Sequence, residues 1–347
     1  VKNRRIEFFL LGVLLAFGIS FIIKSSNAPG ESDNDRLEDA DIRIRSQLSG
    51  LHGVSTRELT AKHTLYHYAI VYLEQTGSSK AKFEKLISDD SAFKVSHRSP
   101  RNMTEPTLFL SEKQNLRWEP VDEWGMDEEP PKTWPHAIEV WLYSPDKGLL
   151  QNVLDAQTLL YEFAKATGGL IADIEAKTVF EVDAWKKNRL NRWVGKYPYV
   201  PSHVTMTYLK RGRWYRARTM GMRKFGLPEI TVAGFISSHL TELDALLKLT
   251  CQTLIERPFL DAGGRYRLNV SEIAETRLKD QLRKIGDESA PGTIEIELAL
   301  IKTVDEHANH NLEIRCLHLP GLMLMQKQEY LVAQLFGASA HKVGGNE

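Results

Sequence analysis

Sixteen consecutive residues near the start of the chain, 8–23, carry no charge and are nearly all apolar, between a basic flank (Lys2, Arg4, Arg5) and Lys24. Such a run is far too apolar for a soluble surface helix, and in a bilayer a single segment satisfies its own backbone polar groups only as a helix. At ~1.5 Å rise per residue it covers about 24 Å, so Ile6 and its flank are needed to approach a ~30 Å hydrocarbon core. One N-terminal transmembrane helix is therefore expected over residues 6–23, after a cytoplasmic basic flank, 1–5. Two fates compete, an uncleaved signal anchor and a cleaved signal peptide. A small-x-small site exists at Ser26-Asn27-Ala28, but Pro29 follows it directly and favours the anchor. Basic residues stay on the cytoplasmic side, which in a bacterium implies a single pass through the inner (plasma) membrane with the folded bulk periplasmic.

Residues 24–50 contain SSNAPGESDNDR, rich in acids, Pro and Gly with hardly an apolar residue, the composition of a polar stalk. The chain of 347 residues is 42% hydrophobic, enough for a sizeable core. Two folded units are expected, 51–130 and 131–338, followed by a flexible tail, 339–347. In the first, TLYHYAIVYLEQ reads as a strand, SSKAKFEKLIS as a helix and TLFLSE as a strand. The segment EPVDEWGMDEEPPKTWP (119–135), with four prolines and six acids, reads as a loop or boundary. Beyond it come the strand HAIEVWLYS, a helix stopped at Gly168-Gly169, two short strands in GLIADIEAKTVFEV, and the helix DAWKKNRLNRW with Asp183 near its start. The hairpin HVTMTYLK-RG-RWYRART follows, its turn expected at Arg211-Gly212. A strand in FGLPEITVAGF, a long helix from Ser237, strands RYRLNV, TIEIELALI and LEIRCLHL, and a last helix through LMLMQKQEYLVAQLF complete the chain. Hairpin connections outnumber strand-helix-strand alternation, so the class expected is α+β, with mixed, largely antiparallel sheets and packed helices.

Charge is balanced in total, 45 basic against 45 acidic residues, but strongly segregated. Residues 184–228 contain twelve Lys or Arg and no acid, whereas 119–129 contain six acids and no base. Aromatic residues are interleaved with the bases, the composition of an anion-binding face. Strand alternation would place Trp214, Arg216 and Arg218 on one side of their strand and Arg213, Tyr215, Ala217 and Thr219 on the other. The candidate ligand-binding residues are Arg213, Trp214, Tyr215, Arg216, Arg218, Arg223 and Lys224, facing a protein partner or an anionic ligand. A solvated sheet face whose arginines pair with the 119–129 acids is the structural alternative. An extracytoplasmic domain makes nucleic acid an unexpected ligand.

No G-x-S-x-G, Walker or H-E-x-x-H motif occurs, so no catalytic set is assigned. His63 and His67 fall in a strand, where four residues separate imidazoles by about 13 Å, too far to share a metal. His307 and His310 fall in a polar loop. No metal or cofactor is expected. Cys251 and Cys316 read as buried thiols, with a disulfide open in an oxidising compartment.

The run TMGMRKFGLPEITV (219–232) resembles a T-x-G-M-x-x-F-G-x-P-E pattern of an uncharacterised bacterial domain-of-unknown-function family, through Thr219, Gly221, Met222, Phe225, Gly226, Pro228 and Glu229. The preceding GGLIADIEAKTVFEVDAW is similar to the corresponding region of those domains. The resemblance spans about residues 137–265 and implies a fold but no activity. Glu229, the first acid after the basic block, is the candidate catalytic residue if the chain is an enzyme. Three functions stay open: a membrane-anchored, non-catalytic binding protein of the envelope, accessory or protective; a hydrolase acting on an anionic substrate through Glu229 and nearby arginines; and a binder of anionic lipid headgroups.

Overall fold

The computed structural model describes residues 63–74, 80–90, 93–96, 103–124, 126, 129–145, 147–258, 265–286, 290–301, 311–316 and 324–337. The expected basic flank, transmembrane segment, stalk and tail lie outside them, as do His307 and His310. Among the described residues, no helix is long and apolar enough to cross a membrane.

The first sheet has seven strands: β1 (His63–Tyr72), β2 (Lys94–Ser96), β3 (Thr107–Arg117), β4 (Asp122–Trp124), β5 (Thr133–Pro145), β6 (Leu170–Asp173) and β7 (Thr178–Phe180), in the order β2-β3-β5-β1-β6-β7-β4. β1 is rich in aromatic and β-branched residues, which suit a pleated, buried surface. Its alternation sends Tyr66, Tyr68, Ile70 and Tyr72 into the main core, and Ala69 and Val71 into a smaller cluster with Trp134, Ala137, Ala172 and Val179 on the opposite face. Two helices, α1 (Lys80–Asp90) and α2 (Leu149–Thr167), pack against the strands. Gly168 ends α2 at φ 72°, and its N–H donates to the Ala164 carbonyl, the left-handed stop expected there.

Strands from both sides of the boundary expected at residues 130/131 share this sheet, because β5 lies between β1 and β3. The 119–135 segment, expected to be irregular, also contributes. β4 pairs in parallel with β7 at the sheet edge, and the Val121 N–H donates to the Lys177 carbonyl at 2.7 Å. Pro135 has no N–H to offer. The register continues unchanged from Gln114↔His136 to Leu116↔Trp134, with only the Asn115–Pro135 pair missing and Asn115 at φ 56°.

The second sheet has six strands: β10 (Thr205–Arg211), β11 (Trp214–Met220), β12 (Glu229–Ile236), β13 (Arg265–Asn269), β14 (Thr293–Ile301) and β15 (Asn311–Cys316), ordered β10-β11-β12-β15-β14-β13. A two-residue ribbon, β8 (Trp193–Val194) with β9 (Tyr197–Pro198), stands apart. Pairing is parallel at β2–β3, β4–β7 and β12–β15, and antiparallel elsewhere, so the protein is α+β with mixed, mainly antiparallel sheets. Helix α3 (Val182–Asn188) follows β7. Helices α4 (Leu240–Glu256) and α6 (Leu324–Phe336) lie against the second sheet, and α5 (Thr276–Ile285) packs on both. Leu243, Leu246, Leu247 and Leu254 of α4 are completely buried, worth about 1.5–3 kcal/mol each. Cys251 on the same helix is a buried free thiol. Core residues of both sheets form one continuous cluster, which includes Tyr199 and Val200 of the link between them.

Candidate functional site

The passage from β11 into β12 is a corner built by the 219–229 motif. Gly221 (φ 110°) and Gly226 (φ 71°) bracket a short 3-10 turn, Met222–Phe225, in backbone conformations that side chains resist. A Cβ on Gly221 would also come within 3.2 Å of both the Ala176 Cβ and the His203 carbonyl oxygen. Glu229 closes the corner. It accepts hydrogen bonds from the Thr219 hydroxyl at 2.7 Å and from the Gly221 and Met222 N–H groups at 2.8 and 3.0 Å. Thr219 in turn accepts from the Ile230 N–H at 2.8 Å. Burial pushes the Glu229 carboxyl up, and the bonds from Thr219 and Gly221 oppose that push. Both carboxylate oxygens are engaged in holding the turn, and the residue is only 8% exposed.

Beneath the corner lies a charge cluster that joins the two sheets. The β1–β6 register places Tyr68 beside Asp173 and Ile70 beside Ile171, so the alternation that buries Tyr68 buries Asp173 too. Asp173 accepts from the Tyr66 hydroxyl, from the Ala176 N–H at 3.2 Å, from Arg189 at 3.4 Å and from Lys224. Lys224, itself completely buried, also donates to the His203 carbonyl at 2.8 Å and sits 4.9 Å from the Tyr66 ring centroid. Arg189 donates to the Thr178 hydroxyl at 2.9 Å and stacks over Phe180 at 4.6 Å. Two cations thus share one buried carboxylate. Burial pushes the Lys224 ammonium down to about 8 against the pull of Asp173. The His203 imidazole is held well below its ordinary value by burial and by the charges of Arg189 and Lys224. At the rim, Glu175 is pushed up to about 7 by burial, while Arg223, 3.7 Å away, pulls it back.

A lysine with a lowered pKa can serve as a nucleophile or base only if substrate reaches it. Lys224 has no exposed surface, so here its ammonium ties the corner of the second sheet to the first. The sequence reading singled out Lys224 and Arg223 but not Asp173, Arg189, Tyr66 or His203. An acid at a core-facing position of the apolar strand LIAD was the available signal.

The remaining candidates divide between surface and core. Arg216 and Arg218 are exposed on the outer face of β11, and Arg213 is exposed in the hairpin turn. That turn is Gly212-Arg213, one residue later than expected, since Arg211 pairs with Trp214 and Gly212 takes φ 55°. Trp214 is 9% exposed and Tyr215 6%. Tyr215 pairs with Phe235 but Arg216 with Ala233, leaving Gly234 (φ 83°) unpaired as a bulge in β12, while β11 keeps continuous register with β10. Arg213 covers the Trp214 ring at 4.7 Å.

Across β10, β11 and β12 the rows run Leu209↔Arg216↔Ala233 and Thr207↔Arg218↔Thr231, the second ending on buried Thr231, whose partner on β15 is Glu313. Among the described residues, Arg213, Arg216 and Arg218 make no ion pair. The described part of the acidic segment lies instead beside β7, and its Glu119 pairs with Lys132 at 3.2 Å. His67, on β1, stacks on Trp141 with centroids 3.8 Å apart and lies 3.5 Å from Glu139. Among the described residues, no three His, Cys, Asp or Glu side chains gather as metal ligands. No protein-family model, curated protein or solved structure matches the chain.

Proposed function

We propose that this is a membrane-anchored, non-catalytic binding protein of the bacterial envelope, and that the outer face of β10, β11 and β12 engages an acidic surface on a protein partner. The observation that carries the reading is the row of exposed Arg216 and Arg218 beside Arg213, without an ion-pair partner among the described residues. Exposed charges of this kind contribute about 0.2–1 kcal/mol per pair and act strongly on association rate, so binding through them weakens with salt. The anchor rests on the uncharged run within residues 6–23 and its basic flank. Glu229 is better suited to holding the corner than to hydrolysis, because its oxygens already accept three hydrogen bonds.

The test is extraction of the full chain from membranes, with washes at low and high salt, alongside Arg216→Ala/Arg218→Ala. A partner retained at low salt, released at high salt and lost from the double variant supports the proposal. Retention indifferent to both salt and the arginines refutes it.

A further inference from the structure

We infer that β10 is a docking edge for an extended acidic segment of a partner protein, added as a further strand to the second sheet. This rests on the binding face proposed above and specifies what it recognises. β10 is the terminal strand of the sheet, and all seven of its register pairs are made to β11 on one side. Among the described residues no strand pairs with its other side.

Natural sheet edges are usually kept from pairing by proline, bulges, short length or charge. β10 is seven residues long, contains no proline and keeps continuous register with β11. Leu209, on its outer face, is 40% exposed. The protection present is positive charge, from Lys210 on β10 and from Arg216 and Arg218 on the next strand. Such an edge repels a second copy of itself, because basic rows would lie against basic rows. An acidic strand is attracted.

Spacing favours the same occupant. Arg216 and Arg218 are two residues apart on one face, about 7 Å along the strand, which is the repeat of alternate side chains in any added strand. Two strand spacings, about 10 Å, separate β11 from the newcomer, within the joint reach of an arginine and a glutamate. Acidic residues at i and i+2 would therefore meet Arg216 and Arg218 across Thr207 and Leu209, while the backbone fills the free edge.

The experiment uses the full chain in detergent and a fluorescein-labelled octapeptide of alternating Glu and Val, followed by fluorescence anisotropy. Two further peptides carry backbone N-methyl groups on the odd or on the even positions, which removes N–H donors from one edge at a time without changing charge. Strand addition predicts that one methylated set binds at least about tenfold more weakly and the other binds like the parent. The Arg216→Ala/Arg218→Ala variant should weaken all three. Equal binding of the parent and both methylated peptides overturns strand addition while leaving the arginine face standing. Binding unaltered by the arginine substitutions overturns the face itself. Failure of the parent peptide to bind the wild-type chain also overturns the inference.

Discussion

Replacing Asp173 by Asn would leave the shape of the buried cluster almost unchanged and remove its only carboxylate charge between Arg189 and Lys224. The amide oxygen can still accept from Tyr66 and from the Ala176 N–H, but the amide N–H₂ would face two cationic donors. Lys224 has an escape. Its ammonium, already pushed down to about 8, can lose its proton near neutral pH for roughly 1–2 kcal/mol. Arg189 has none, since a guanidinium stays charged in proteins and its side chain is 4% exposed. Leaving a buried charge uncompensated costs about 3–5 kcal/mol. Lys224→Met is milder. It leaves Asp173 paired with Arg189 and Tyr66, and its main loss is the donor to the His203 carbonyl, about 1–3 kcal/mol. Urea unfolding followed by tryptophan fluorescence should therefore rank Asp173→Asn well above Lys224→Met. Equal costs, or a cost below about 1 kcal/mol for Asp173→Asn, would refute the view that one carboxylate holds both cations.

Other outcomes follow from the same geometry. Glu175 keeps its proton up to about pH 7 in the folded chain but loses it near 4.5 when unfolded, so folding takes up a proton between those values and stability falls as pH rises through that window. Glu175→Gln should remove this limb and gain on the wild type by up to about 3 kcal/mol between pH 5 and 8; a constant difference across that range would contradict it. Glu229→Ala leaves the Gly221 and Met222 N–H groups and the Thr219 hydroxyl unpaired and should cost about 3 kcal/mol, while Glu229→Gln, which keeps an acceptor, should cost about 1 kcal/mol. Denaturant titration separates these, and equal costs would deny Glu229 its role as acceptor. Gly221→Ala combines φ 110° with contacts at 3.2 Å and should lower stability by about 2–3 kcal/mol in a thermal melt. An unchanged melt would mean the corner is not so constrained.

Local features of this fold were legible because they depend on local patterns. Alternation in TLYHYAIVYLEQ, the glycine stop of α2 and the hairpin around Gly212 each need only neighbouring residues. The position of β1 between β5 and β6, or of β12 beside β15, depends on contacts between residues far apart in sequence, and no local periodicity encodes it. α5 was not expected, although Leu278, Leu282 and Ile285 recur at i, i+4 and i+7, the spacing of an apolar helix stripe. The arginine face was partly legible: alternation put Arg216 and Arg218 together, but the bulge at Gly234 that shifts the β11–β12 register lies on another strand. The Asp173 cluster was not legible, because it joins residues from β1, β6, the segment after α3 and the 3-10 turn. Its existence depends on how the two sheets meet.

The exposed arginines of β11 are expected to bind while contributing nothing to folding. Fluorescence anisotropy of labelled poly-L-glutamate on the full chain, at about 50 and 200 mM salt, should show Arg216→Ala/Arg218→Ala binding about five- to thirtyfold more weakly than wild type at low salt. Its unfolding free energy should stay within about 0.5 kcal/mol of the wild type. Unchanged affinity, or affinity lost only together with the fold, would contradict the proposal that this face is a binding surface.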